Sequence, residues 1–127
     1  MNDLNISGTQ STPSVVADHA AGRFRMSGDS YPENSFEFFN PIIAWVEEYL
    51  KTSDRRLQVE LHIIYMNTSS VRALFDILDL LEAAYGEGRE IRLDWYYDQR
   101  NERAASLAAE FKEDCSFPFE IIQEVPS

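Results

Sequence analysis

The stretch that decides the fold is residues 57–95, LQVELHIIYMNTSSVRALFDILDLLEAAYGEGREIRLDW. Its first ten residues alternate between apolar and polar side chains, which is typical of a strand with one face turned to a core. The core-facing set is Leu57, Val59, Leu61, Ile63 and Tyr65. Ile64 and Met66 fall on the opposite face, and they predict a strand that is covered on both sides near its end.

The pattern then changes from a strand period to a helical one. The polar residues Asn67 to Ser70 come first, and an apolar stripe follows with the spacing of an amphipathic helix. That stripe consists of Val71, Leu74, Phe75, Ile77, Leu78, Leu80 and Leu81. Gly86 and Gly88 end the helix, and residues 90–96 alternate again as a second strand. A strand, a helix and a strand in this order predict a parallel βαβ unit with a right-handed crossover.

Bulk composition restricts the class of protein. The chain has 127 residues, 44% of them hydrophobic, which is enough for one folded domain with a real core. The net charge of −11 argues against nucleic acid or an anionic membrane as a partner and suits a protein that binds proteins. The single cysteine, Cys115, and the lack of a signal-peptide pattern or a long apolar run lead us to expect a cytoplasmic protein.

The segments on either side complete an α/β chain. Residues 1–13 are polar and predict an extended arm, residues 14–17 and 23–27 predict a hairpin, and residues 28–32 predict a turn. A first helix follows, and Pro41 leaves two alternatives for it. Either the helix begins at the capping-box residue Asn34 and is kinked, or its regular part begins with Asn40 as the cap.

The end of the chain adds one more helix and strand. Residues 98–114 carry a small apolar face of alanines with Leu107 and Phe111, and residues 117–125 predict a last strand. The predicted order is therefore ββαβαβαβ in a single domain spanning residues 1–127. We expect a mixed sheet with an N-terminal hairpin and helices.

Motifs for catalysis are scarce in the sequence. It contains no glycine-rich phosphate loop, and His19, His62 and Cys115 have no zinc-site spacing. Asp76 and Asp79 share one side of the central helix, where a solvated face is the default interpretation and divalent-metal binding is the alternative. Arg100 lies at the start of the predicted third helix, either in an exposed first turn or in contact with a partner. We therefore expect no enzyme, no metal and no cofactor. A ligand-binding or catalytic domain that uses these three residues remains the alternative, as does a constitutive scaffold.

The four polar residues Asn67, Thr68, Ser69 and Ser70 have two interpretations. One is helix capping, in which a side-chain oxygen accepts hydrogen bonds from the free N–H groups of the first turn. One residue is enough for a cap, however, and three of these four carry a hydroxyl group. A phosphate on one of them would lie near the positive end of the helix dipole and add about −1.5 to −2 charge to an uncharged region.

The whole chain also resembles known proteins. The element order, with a Ser/Thr segment between a central strand and the next helix, is similar to the STAS domains of anti-sigma-factor antagonists. More closely, the chain resembles the SiaC family of bacterial regulatory phosphoproteins. The matching segments are GTQSTP (8–13), GDSYPENS (28–35), YMNTSS (65–70), DILDLLE (76–82), RNER (100–103) and EDCSFPF (113–119).

The resemblance implies a switch protein that is regulated by phosphorylation. It implies that Thr68 is phosphorylated by a protein kinase with a histidine-kinase-like ATPase fold and dephosphorylated by a metal-dependent serine/threonine phosphatase. It also implies that the unphosphorylated form binds and activates a diguanylate cyclase, in cyclic-di-GMP and biofilm signalling. Asn67, Ser69 and Ser70 would shape the segment or contact partners, with Asp76, Asp79 and Arg100 as further partner surface.

Overall fold

The computed structural model describes residues 2–124 and contains a six-stranded sheet with three helices. The elements are β1 (Leu4–Ile6), β2 (Ser14–Asp18), β3 (Arg23–Ser30), α1 (Ser35–Thr52), β4 (Leu57–Met66), α2 (Thr68–Gly86), β5 (Ile91–Asp98), α3 (Glu102–Glu113) and β6 (Phe119–Glu124). The strands lie in the sheet in chain order. β1, β2 and β3 pair antiparallel, and β3 through β6 pair parallel with one helix in each connection. The predicted mixed α/β fold and its N-terminal hairpin are confirmed.

Near the N-terminus, the predicted element order missed a first strand, and one predicted turn was wrong. Part of the expected polar arm is β1, which pairs with β2 at the edge of the sheet, with Leu4 opposite Ala17 and Ile6 opposite Val15. Three residues are too few for a recognisable alternating pattern, and pairing with the hairpin holds them. The turn expected at residues 28–32 is instead the end of β3, which continues to Ser30 beside β4.

The sheet is covered on one face, and the prediction of cover on both faces was wrong. From β3 to β6, each strand is followed in the sheet by its neighbour on the same side, so that the chain always moves across the sheet in one direction. Because crossovers between parallel strands are right-handed, the three helices then lie on one side of the sheet. The buried core lies between that side and the helices, and it includes Phe24, Leu61, Leu93 and Trp95. The other side carries polar residues such as Arg25, Glu60, His62 and Arg92.

An irregularity near the end of β4 corrects the predicted directions of its last side chains. Gly28 pairs with Ile63 and Asp29 with Tyr65, so that Ile64 has no partner in β3. Such a bulge shifts the alternation by one residue. Met66 therefore points into the core at 7% exposure, while Ile64 and Tyr65 are exposed at 59% and 52%.

The structure shows where α1 and α3 begin and which residue caps each helix. Asn34 caps α1, and its side chain accepts a hydrogen bond from the Glu37 N–H at 3.0 Å. Pro41 consequently lies inside the helix, and the alternative start at Asn40 was wrong. α3 begins at Glu102 with Asn101 as its cap, four residues later than predicted, because β5 stays paired with β6 as far as Asp98.

The last strand ends at Glu124 in the described part of the chain, and Val125, which was included in its prediction, lies outside the described residues. Within residues 2–124, no helix is both long and apolar enough to cross a membrane.

Candidate functional site

The polar segment after β4 is the start of α2 itself. β4 ends at Met66, Asn67 is the cap, and the helix begins at Thr68. The Asn67 side-chain oxygen accepts hydrogen bonds from the Ser70 N–H at 2.9 Å and from the Ser69 hydroxyl at 3.2 Å. The capping interpretation is therefore right for Asn67. The helix begins before the apolar stripe that predicted it, and the three hydroxyl residues form its first turn.

The three hydroxyl groups of this turn differ in their surroundings. Ser70 is fully buried, and its oxygen accepts a hydrogen bond from the equally buried Ser30 hydroxyl at 2.8 Å. Ser69 is exposed but is joined to the Ser35 hydroxyl of α1 by a hydrogen bond of 2.5 Å. Thr68 is exposed, and its hydroxyl group has no hydrogen-bond partner among residues 2–124. Of these three hydroxyl groups, only that of Thr68 is both exposed and without a hydrogen-bond partner among residues 2–124.

Backbone contacts fix this turn to the sheet. The Asn67 N–H donates to the Ser30 carbonyl at 2.9 Å, and the Val71 N–H donates to the Asn67 carbonyl at 3.0 Å. Ser30 also lies opposite Met66 in the parallel pair of β3 and β4. The position of Thr68 is therefore set by the rigid end of a central strand and by the next helix.

Four large apolar side chains are exposed on the segments that lead into the first turn of α2 or contact it. Tyr65 comes three residues before Thr68, and its ring lies 6.1 Å from that of Tyr31, which follows Ser30. Phe36 follows Ser35, the partner of Ser69. We call this set the apolar rim; its members and exposed fractions are Tyr31 at 38%, Phe36 at 81%, Ile64 at 59% and Tyr65 at 52%. Of these, Tyr31 and Tyr65 are in ring contact, and exposed apolar groups of this size are typical of protein-binding surfaces.

A groove of about 320 Å³ between α1 and α2 extends from this turn. Ser35 and Ser69 lie at its end, Phe36 and Phe39 line one side, and Arg72 and Asp76 line the other. Asp76 thus lines the same groove as Ser69, about two helical turns further along α2. Asp79 is exposed on the same helix but does not line this groove.

Arg100 lies in the turn between β5 and α3, beside another part of the rim. Its guanidinium group bonds to both carboxylate oxygens of Asp98, at 3.0 and 2.8 Å. These side-chain bonds, together with the Arg100 backbone N–H, lower the pKa of Asp98 to about 2. Nearby, the Asn101 side chain donates to the Ile64 carbonyl at 3.0 Å. Arg100 is therefore near the edge of the site, with its charge already paired.

The open face of the sheet holds a polar network around His62. The two ring nitrogens of His62 lie 2.8 Å from a Glu60 oxygen and 2.7 Å from a Glu124 oxygen. The ring stacks on Tyr96 with centroids 4.5 Å apart, and burial and the nearby carboxylates raise the pKa of that tyrosine. His62 has the role of a hydrogen-bonded sheet residue. In the described part of the chain, no three His, Cys, Asp or Glu residues are placed to hold a metal ion.

Comparisons with known proteins find similar chains of the same family. The family described as SiaC family regulatory phosphoprotein matches residues 6–124. An uncharacterized protein of Pseudomonas aeruginosa strain UCBPP-PA14 is 58% identical over 121 residues, which are 95% of this chain and 96% of that protein.

Solved structures are similar over nearly the whole chain. SiaC of Pseudomonas aeruginosa is 54% identical with a TM-score of 0.93, and the match covers 98% of this chain and 100% of that one. A structure of the diguanylate cyclase SiaD in complex with its activator SiaC, from the same organism, contains a chain that is 56% identical. Its TM-score is 0.94, with 96% of this chain and 100% of that chain covered. The resemblance seen in the sequence is confirmed, and the protein belongs to the SiaC family of regulatory phosphoproteins.

Proposed function

We propose that this protein is a non-enzymatic switch in which Thr68 is the phosphorylated residue. In its unmodified form it binds and activates a diguanylate cyclase, and phosphorylation of Thr68 releases that target. A protein kinase with a histidine-kinase-like ATPase fold and a metal-dependent serine/threonine phosphatase set the balance between the two forms. The family supports regulation by phosphorylation, and the similar SiaC chain in complex with a cyclase supports the target.

The exposed, unpartnered hydroxyl of Thr68 is the observation that carries the proposal. A kinase requires a hydroxyl group that its active site can reach without unfolding the substrate. Ser70 is fully buried, and Ser69 already bridges to α1. Modification of either serine would therefore break a contact that holds the helix start in place, whereas modification of Thr68 would break none that the structure shows.

The surroundings of Thr68 explain how a phosphate would release a partner. A protein docked on the apolar rim would exclude water from the first turn of α2. A phosphate there adds about −1.5 to −2 charge, and its desolvation costs several kcal/mol unless the partner supplies a cation. Because the partner then binds the two forms with different affinities, phosphorylation can shift the equilibrium between bound and free states.

The same proposal gives the other residues of the site supporting roles. Asn67 caps the helix, Ser69 and Ser70 hold its first turn against α1 and β3, and Asp76 extends the partner surface along the groove. The proposal treats residues 1–127 as one regulatory domain. The single cysteine, which has no partner for an internal disulfide, suits a reducing compartment such as the cytoplasm.

The test compares Thr68→Asp and Thr68→Ala for binding to the cyclase by calorimetry and for stimulation of cyclase activity. We expect Thr68→Ala to bind like the wild type and Thr68→Asp to bind at least about tenfold more weakly, a difference of about 1.4 kcal/mol. Ser106→Asp is a matched control, since Ser106 is exposed on α3 and the change adds the same charge. Equal affinity of Thr68→Asp and wild type for the cyclase would refute the proposal. Phosphopeptide mapping of the protein from its own cells would show whether Thr68 is the modified residue.

A further inference from the structure

Arg72 is a cation of the phosphorylation surface to which neither the family description nor the proposed function gives a role. It is exposed on α2, four residues after Thr68, and it lines the groove between α1 and α2 together with Ser35 and Ser69. No hydrogen bond or ion pair of its side chain occurs within residues 2–124. The guanidinium group of Arg72 is therefore available to a ligand at this surface.

The spacing directs this side chain towards Thr68. Residues four apart in a helix lie on the same face with their Cβ atoms about 5–6 Å apart. Side chains in a helix also tilt towards its N-terminus, so that Arg72 extends over the turn that contains Thr68. Asp76 is at the same spacing on the other side, and the structure nevertheless shows no Arg72–Asp76 ion pair within 4.0 Å.

Arg72 is the only Lys or Arg within ten residues of Thr68 in the sequence. It is the only Lys or Arg in α2, and the only one in α1 is Lys51, at the far end of that helix. Arg100 is already committed to Asp98. A phosphate on Thr68 would therefore find one free guanidinium group on its own helix.

We infer that Arg72 is the positioning residue that binds the phosphate of phosphorylated Thr68 within the same chain. This inference rests on the proposed function and deepens it. Arginine suits the role because its planar fork donates two parallel hydrogen bonds to phosphate oxygens. The pairing has a second effect, since it withdraws from any partner the one free cation of α2 and leaves the first turn with net negative charge.

The experiment measures the second ionisation of the phosphate by ³¹P NMR. The full chain is prepared with phosphothreonine at position 68 by expansion of the genetic code, as wild type and with Arg72→Gln, Arg72→Lys or Arg103→Gln. Arg103→Gln is the matched control, because it removes the same charge from an exposed position in the first turn of α3. Each protein is titrated from pH 4 to 9.

A nearby guanidinium group favours the dianion and so lowers the phosphate pKa from its ordinary value near 6. An exposed pair at this spacing changes an equilibrium constant by about twofold, or about 0.3 pKa unit, and a dianion should give somewhat more. We expect Arg72→Gln to raise the phosphate pKa by at least that amount, Arg72→Lys to raise it less, and Arg103→Gln to leave it unchanged.

Equal phosphate pKa values in the wild type and Arg72→Gln would overturn the inference. Equal changes in Arg72→Gln and Arg103→Gln would also overturn it, since they would reflect only the total charge. These results are independent of the cyclase assay. If Thr68→Asp binds the cyclase like wild type, the proposed function fails whatever the NMR titration shows about Arg72.

Discussion

The buried hydroxyl pair of Ser30 and Ser70 should be a measurable source of stability at the start of α2. Both side chains are fully buried, and the Ser30 hydroxyl donates to Ser70 at 2.8 Å. Ser70→Ala removes the acceptor and leaves the Ser30 hydroxyl buried without a partner. Leaving one buried polar group unsatisfied costs about 1–3 kcal/mol, whereas removing both members of a pair can be nearly neutral.

We therefore expect Ser70→Ala and Ser30→Ala each to lower the free energy of unfolding by about 1–2 kcal/mol. The double variant should lose clearly less than the sum, with a coupling energy of about 1 kcal/mol or more. For a chain of this size, each kcal/mol corresponds to about 4 °C in Tm. Urea denaturation followed by circular dichroism provides the free energies, and a shift of the midpoint without a change of slope identifies a stability effect.

Thr68→Ala is the matched control for this cycle, because it removes from the same turn an exposed hydroxyl that has no hydrogen-bond partner among residues 2–124. It should cost less than about 0.5 kcal/mol, as most exposed substitutions do. Fully additive single variants would show that the two hydroxyl groups do not stabilise each other. A Ser70→Ala variant as stable as wild type would refute the reasoning that assigns Ser70 to the fold.

Two further predictions concern other parts of the fold. Gly22 has φ of +65°, and a Cβ there would lie 2.7 Å from a backbone carbonyl oxygen. Gly22→Ala should therefore lower the free energy of unfolding in urea by about 2 kcal/mol or more, whereas Gly86→Ala, with open space around it, should not lower it. Equal stability of the two variants would contradict this prediction. Arg100→Gln should raise the pKa of Asp98 from about 2 towards its ordinary value of 3.8 in a carboxyl NMR titration. Because the pKa of Asp98 is lowered in the folded state, the stabilisation by this pair is fully present above about pH 4 and is lost as the pH falls through about 2. An unchanged titration of Asp98 in the variant would show that Arg100 does not lower this pKa.

The local sequence determined most of the secondary structure. Alternation and helical periodicity arise from burial of one face, which is a property of each segment, and they identified β4, α2 and β5 within a few residues. The capping box at Asn34 was also readable, since a cap needs only residues three apart. The position of the hydroxyl residues at the carboxyl end of a central strand followed from the βαβ order.

What the sequence missed depends on contacts between distant residues. Ile64 and Tyr65 point outwards because the pairing of β4 with β3 contains a bulge, and nothing within β4 itself shows this. The bare face of the sheet follows from the direction of three successive crossovers. The bulge has no signature within β4, whereas the alternation of Gln58, Glu60 and His62 with apolar residues was already consistent with a polar face.

The same distinction applies to the candidate site. In the sequence, Thr68, Ser69 and Ser70 are three adjacent hydroxyl residues, and no local pattern distinguishes their environments. They differ in their hydrogen-bond partners, because Ser69 is bonded to Ser35, 34 residues away, and Ser70 is bonded to Ser30, 40 residues away. Hydrogen-bond partners on separate elements meet only once the sheet and helices have assembled, and that assembly leaves the hydroxyl of Thr68 free among residues 2–124.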